Sequence, residues 1–155
     1  MKRSQSCVDH SSLILMASGQ LKPLKDIQLG DVVMSPPVKK GLGRKVRVIG
    51  KDIGQQIVPN QHIRIKAGNH ELVVSMDHLM SGHPAEDYRV MDLIRMRYGE
   101  DEVVQVTKAN PEFTGDLLLE NGGGYYANGF AVDSMLARAG VTVKQLDEFH
   151  AMMAE

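Results

Sequence analysis

Hydrophobic and polar residues alternate along most of the chain with a period near two, the spacing of half-buried strands rather than of helices. Leu13-Ile-Leu-Met-Ala reads as a buried strand closed by Ser18-Gly-Gln. Asp31-Val-Val-Met-Ser runs into Pro36-Pro37, which cannot continue a ladder. Lys45-Val-Arg-Val-Ile alternates cleanly. His62-Ile-Arg-Ile-Lys and Glu71-Leu-Val-Val-Ser flank a glycine–asparagine loop and predict a hairpin. Glu102-Val-Val-Gln-Val predicts a further strand. Asp116-Leu-Leu-Leu-Glu and the run Tyr125 to Val132 flank Asn121-Gly-Gly-Gly and predict a second hairpin.

Two segments have helical character. Glu86 to Leu93 predicts a short helix, and Ser134 to Glu155 is rich in helix formers with a break at Gly140. Thr142 fits an N-cap for the second part. Leu146, Phe149, Met152 and Met153 recur at spacings of three and four, an apolar stripe suited to docking on the sheet. No repeat, low-complexity tract or linker divides the sequence. Short strands, glycine- and proline-rich turns and one terminal helix make an all-β single domain.

The chain's 155 residues suffice for a core without staples, and 43% of them are hydrophobic. A net charge of −1 gives no reason to expect nucleic acid or an anionic membrane as partner. No apolar stretch reaches transmembrane length, and Leu13 to Ala17 is too short for a secretory core. The single cysteine fits a reducing compartment, so the expectation is a cytoplasmic protein. Oligomeric state is not legible.

Candidate chemistry centres on that cysteine, Cys7. A thiol with a pKa of about 8.5 is only a few per cent thiolate at neutral pH, so a chemical role needs an activating neighbour. Ser75-Met-Asp-His78 supplies a hydroxyl and an imidazole three apart at a strand end, and Asp116 supplies a late carboxylate. The competing reading of Cys7 is a small buried hydrophobe. His78 and His83 flank Gly82 with Asp77 and Asp87 nearby. That spacing matches no metal-ligand signature, so neither metal nor cofactor is expected.

Three blocks in this order resemble the Hint fold shared by hedgehog autoprocessing domains, inteins and bacterial intein-like domains. They are Cys7…Ser12-Leu-Ile-Leu…Lys22-Pro-Leu-Lys-Asp…Gly30-Asp-Val-Val, then Val73-Val-Ser75-Met-Asp-His78, then Thr114-Gly-Asp116-Leu-Leu-Leu with Tyr125 to Val132. The resemblance implies a horseshoe-like, pseudo-twofold β fold over 7–134, between a short flank (1–6) and a helical extension (135–155). It also implies a catalytic set. Cys7 would attack the Ser6 carbonyl in an N-to-S acyl shift, His78 would protonate the leaving nitrogen, Ser75 would polarise the scissile peptide, and Asp116 would tune the thiol or relay a proton.

The His-Asn pair that ends splicing inteins is replaced here by Asp133-Ser134, and serine cannot cyclise to a succinimide. A histidine common before the last strand is absent from Asn121-Gly-Gly-Gly, and Gly82 to Asp101 is too short for an endonuclease insertion. The expectation is therefore single-turnover autoprocessing of the chain's own N-terminal flanking polypeptide. The Ser6–Cys7 thioester would end in hydrolysis or transfer, without full splicing. Only six residues precede Cys7, which fits a relative that has lost this duty unless cargo lies upstream. Two alternatives stay open: a degenerate Hint domain serving as a structural or interaction module, and an unrelated ligand-binding β-barrel.

Overall fold

A computed structural model describes residues 7–37 and 43–154. The strands are β1 (Val8–Asp9), β2 (Leu13–Leu15), β3 (Leu21–Pro23), β4 (Val32–Ser35), β5 (Arg44–Gln55), β6 (His62–Ala67) and β7 (His70–Ser75). They continue as β8 (Leu79–Met80), β9 (His83–Pro84), β10 (Leu93–Met96), β11 (Gly99–Ala109), β12 (Phe113–Leu119), β13 (Tyr125–Ala127) and β14 (Phe130–Val132). Two helices follow, α1 (Met135–Arg138) and α2 (Val143–Ala154). Among the described residues, twelve strands form one continuous antiparallel ladder in the order β3-β2-β13-β14-β10-β11-β6-β7-β1-β12-β5-β4.

The chain is built twice from one pattern. Pro23-Leu-Lys-Asp26…Asp31-Val-Val matches Pro84-Ala-Glu-Asp87…Asp92-Leu-Ile, so the sequence does contain an internal repeat, contrary to the expectation above. Each proline leads into a single 3-10 turn, Leu24–Asp26 or Ala85–Asp87. Each later aspartate then accepts the backbone N–H three residues back, Gln28 at 2.9 Å or Arg89 at 2.7 Å. Val48 N–H reaches Asp31 O at 2.8 Å, as Val103 N–H reaches Asp92 O at 2.8 Å. The repeat escapes a periodicity search because the two copies share turn chemistry and few side chains.

Strand exchange locks the halves together. After β5 the chain crosses to β6, which pairs with β11 of the other half, and after β11 it crosses to β12, which pairs with β5. Between them lies the two-residue strand β1, bonded to β7 on one side and β12 on the other. This is the pseudo-twofold all-β arrangement expected. Its core of fully buried side chains includes Ile14, Leu24, Ile27, Ile65, Leu72, Met80, Ile94, Leu117 and Phe130.

Three local expectations are corrected. Glu86 to Leu93 is no helix: after the 3-10 turn the Asp92 carboxylate and Met91 at φ 79 turn the chain into β10. Second, β12 and β13 are not a hairpin. β12 pairs with β1 and β5, β13 with β14 and β2. Third, the run from Tyr125 to Val132 is itself a hairpin, because Asn128 (φ 49) and Gly129 (φ 85) take the paired positive angles of a tight two-residue turn. The terminal helices agree with expectation. Gly140 (φ 70) separates them, and Thr142 and Gln145 exchange side-chain-to-backbone bonds at 3.2 and 2.9 Å, a capping box opening α2. Of the apolar stripe, Leu146 is buried against Leu118 and Leu136 while Met152 is exposed. The side chains of Phe149 and Met153 lie outside the described residues.

Candidate functional site

Register alone lines up the site. β1 pairs Val8 with Val74 and with Gly115, so one residue earlier Cys7 stands between Ser75 of β7 and Asp116 of β12. Ser75 is opposite His62 of β6, and Asp116 is opposite Asp52 of β5. A rung of buried polar residues therefore crosses five adjacent strands: His62, Ser75, Cys7, Asp116, Asp52. Residues directly opposite share one face of a sheet, so neighbouring members project the same way.

At the centre of the rung the ladder is diverted. Ser75 N–H donates to Cys7 O at 2.9 Å in the usual way. The return bond goes elsewhere: Cys7 N–H donates to the Ser75 hydroxyl, Oγ, at 3.0 Å. The Ser75 carbonyl instead accepts the N–H of His78 at 3.1 Å, closing the turn that carries the imidazole.

His78 is fully buried. Its Nε2 lies 2.7 Å from the carbonyl oxygen of Asp133. A carbonyl only accepts, so Nε2 carries a proton and donates in this bond. Nδ1 is buried with no hydrogen-bond partner among the described residues. The ring is thus held by one nitrogen while the other is available for proton transfer.

Asp116 is bound on both oxygens. Oδ1 accepts the Tyr125 hydroxyl at 2.5 Å, and Oδ2 accepts the N–H groups of Met135 and Leu136 at 2.7 and 2.9 Å. Burial raises its pKa above the ordinary carboxylate value, against the opposing pull of His78 and of these donors. Burial, together with the Asp116 charge and hydrogen bond and the nearby Cys7, raises the Tyr125 hydroxyl well above its usual range. Tyr125 therefore lies in electrostatic reach of both Cys7 and Asp116, a link the sequence reasoning missed.

Asp133 and Ser134, at the junction of β14 and α1, are structural in their contacts. Ser134 Oγ donates to Leu117 O at 2.6 Å and accepts from Ala137 N–H at 3.2 Å, the N-cap of α1. Asp133 accepts from Gly82 N–H at 3.0 Å and pairs with Arg138 at 3.2 Å. The structure brings Cys7, Ser75 and Asp116 to one rung, with His78 one tight turn away. A second histidine, His62, occupies the same rung. Its only sequence signal was its place opposite Ser75 in the first hairpin.

Neither family models nor curated proteins match the sequence. Solved structures do. The bacterial intein-like domain from Clostridium thermocellum superposes with a TM-score of 0.71 at 16% identity, over 84% of this chain and 99% of that one. A DnaB intein from Synechocystis sp. PCC 6803 gives 0.71 at 15% identity, over 84% and 99%. The gp41-1 intein gives 0.67 at 16% identity, over 84% and 100%. The chain has the Hint fold.

Proposed function

We propose that this Hint fold is self-processing: it cleaves the peptide bond on the N-terminal side of Cys7 through a thioester, and it does not splice. The observation that carries this reading is the bond from Cys7 N–H to Ser75 Oγ at 3.0 Å. That nitrogen is the one an N-to-S shift must expel. Its hydrogen points at a side chain rather than at the rigid carbonyl of a ladder.

The steps balance as follows. The Cys7 thiol passes its proton to Nδ1 of His78, and Sγ adds to the Ser6 carbonyl carbon, forming the S–C bond. Ser6 itself lies outside the described residues. The tetrahedral oxyanion collapses, the C–N bond breaks, and Nδ1 returns the proton to the departing Cys7 nitrogen. An amine leaves only if protonated, which is why a base that becomes an acid suits the task. The Asp133 carbonyl stabilises the imidazolium through Nε2–H. Water or an added thiol then takes the acyl group. Asp133-Ser134 continue directly into capped α1, which supports an outcome without asparagine-type cyclisation. On this reading residues 7–134 are the processing body and 135–155 an extension.

One observation favours the rival reading, a catalytically inactive Hint scaffold. All three donors on Asp116 are structural, two of them the first N–H groups of α1, so its carboxylate is engaged in holding the C-terminal segment. Intact-mass analysis of the chain fused behind a small upstream domain separates the two. Dithiothreitol-accelerated cleavage at Ser6–Cys7, lost in Cys7→Ala, is the outcome expected of a processing domain. An unchanged full-length mass under every condition leaves the scaffold.

A further inference from the structure

A cavity of about 430 Å³ opens where the end of β4, the glycine loop before β13 and the β14–α1 junction meet. Local chemistry fixes its walls. Ser35 Oγ donates to Gly124 O at 2.6 Å, pinning the loop to β4. A Cβ on Gly124 would collide with Val132 O, so only glycine lets the loop lie this close to β14. At the junction, the Asp133 carboxylate accepts Gly82 N–H at 3.0 Å and Arg138 at 3.2 Å.

Charge sets this cavity apart. The chain as a whole carries a net charge of −1, yet Arg44, Arg95 and Arg138 line the cavity against one acid, Asp133, a balance of +2. Two smaller cavities carry no such excess: Lys51 balances Asp147 in one, and Asp87 and Asp92 make the other acidic. Arg138 is taken up by Asp133. The other two guanidinium groups keep their full charge. Arg95 is half-buried and donates to the neutral Pro37 carbonyl at 2.8 Å. Glu100 is its register partner on β11, but among the described residues no ion pair joins them. Arg44, opposite Ser35 at the start of β5, has no acidic partner among the described residues either. Holding a cation partly out of water without a counter-charge is costly, and a concave wall focuses its field on whatever enters. Guanidinium forks suit the paired oxygens of phosphate and carboxylate.

We propose that this cavity is a binding site for a small, doubly charged oxyanion, a phosphate monoester or a dicarboxylate, held by Arg44 and Arg95. Two unbalanced cations match two negative charges, and the volume is that of a small-molecule site. Cys7, Ser75, His78 and Asp116 do not line it, so the proposal stands apart from the acyl-shift reading.

The test titrates the folded chain with inorganic phosphate and, separately, with succinate at low salt, followed by calorimetry and by amide chemical shifts in isotope-labelled protein. Saturable binding that moves the amides of Ser81, Gly82 and Gly122 to Gly124 is expected. Arg95→Met, which keeps an apolar stem, should weaken it about 10–100-fold, the worth of one charge-assisted hydrogen bond. Arg44→Gln should act likewise, at an exposed position where the fold is not at risk. Arg97→Gln removes an exposed charge outside the cavity and should leave binding unchanged. The anion that binds more tightly names the class, phosphate a monoester and succinate a dicarboxylate. Shifts that stay linear to tens of millimolar with both anions, or equal weakening in all three variants, overturn the proposal.

Discussion

The two halves of the molecule start from the same turn and put different chemistry in it. In the first, Ser12 N–H bonds Asp9 O at 2.9 Å, and the backbone carbonyls of His10 and Ser12 receive Lys25 and Leu24. In the second, His78 N–H bonds Ser75 O at 3.1 Å, and the carbonyls of Met76 and His78 receive Glu86 and Ala85. Asp9-His-Ser-Ser12 is thus the structural mate of Ser75-Met-Asp-His78. The buried fourth position carries a hydroxyl in one half and an imidazole in the other, and both side chains have an unpartnered polar atom among the described residues. Of the two side-chain types, the imidazole is the usual general acid–base group. The same turn thus accommodates either side chain with its backbone bonds unchanged.

That comparison is broken most sharply by editing the mates. His78→Gln should reduce thiol-induced cleavage by about 10²–10⁴-fold, the usual worth of a positioned acid–base group. Ser12→Ala should leave the rate unchanged. Its stability should change little or rise by about 1 kcal/mol, since the substitution removes a buried hydroxyl that has no partner. Fusion-cleavage kinetics and urea melts of both variants read this out. Comparable loss of rate in Ser12→Ala would mean that the halves do not divide their duties in this way.

A smaller effect tests the equivalence of the turns themselves. Gly30 (φ 92) and Met91 (φ 79) occupy the same left-handed position ahead of Asp31 and Asp92. Glycine takes that angle freely, whereas a side chain there costs about 1–2 kcal/mol. Met91 is 74% exposed, so removing its side chain sacrifices little packing. Met91→Gly should stabilise the fold by about 0.5–1 kcal/mol after the entropy that glycine adds to the unfolded chain. Gly30→Ala should destabilise it by about 1 kcal/mol. Thermal melts of the pair with opposite signs would confirm the equivalence, and equal signs would refute it.

The smallest difference lies in the aspartates. Both cap a backbone N–H, but Asp31 also receives Lys22 Nζ at 2.8 Å. The Lys22 hydrogen bond, then that from Gln28, holds the Asp31 carboxyl below its ordinary value of 3.8. A lowered folded pKa contributes stability above the unfolded value, and that stability is lost as pH falls through the folded one. Asp31→Asn should therefore cost a few tenths of a kcal/mol more than Asp92→Asn at neutral pH, as expected for a solvent-screened pair. The gap should close on acidification below 3.8. A gap that persists in acid would mean that the bridge is not its source.

By itself the sequence determined the strand-rich class, the first hairpin, the break at Gly140 and the cap at Thr142. Each depends on neighbours within a few residues: period-two alternation, a glycine–asparagine loop, a left-handed glycine, a hydroxyl three positions from its amide. The blocks around Cys7, Ser75 and Asp116 were also legible, since resemblance reads residue type and order. What no local signal could specify was pairing between distant segments. Asp116-Leu-Leu-Leu-Glu and Tyr125-Tyr-Ala looked like hairpin partners, yet strand exchange gave each other neighbours: β1 and β5 occupy both hydrogen-bonding edges of β12, and β2 and β14 those of β13. For the same reason only the tertiary structure decided that His62 stands opposite Ser75, that Tyr125 links Asp116 to the neighbourhood of Cys7, and that His78 presents Nδ1 rather than Nε2. Side chains acquire such relations from register, and register is a property of the assembled sheet.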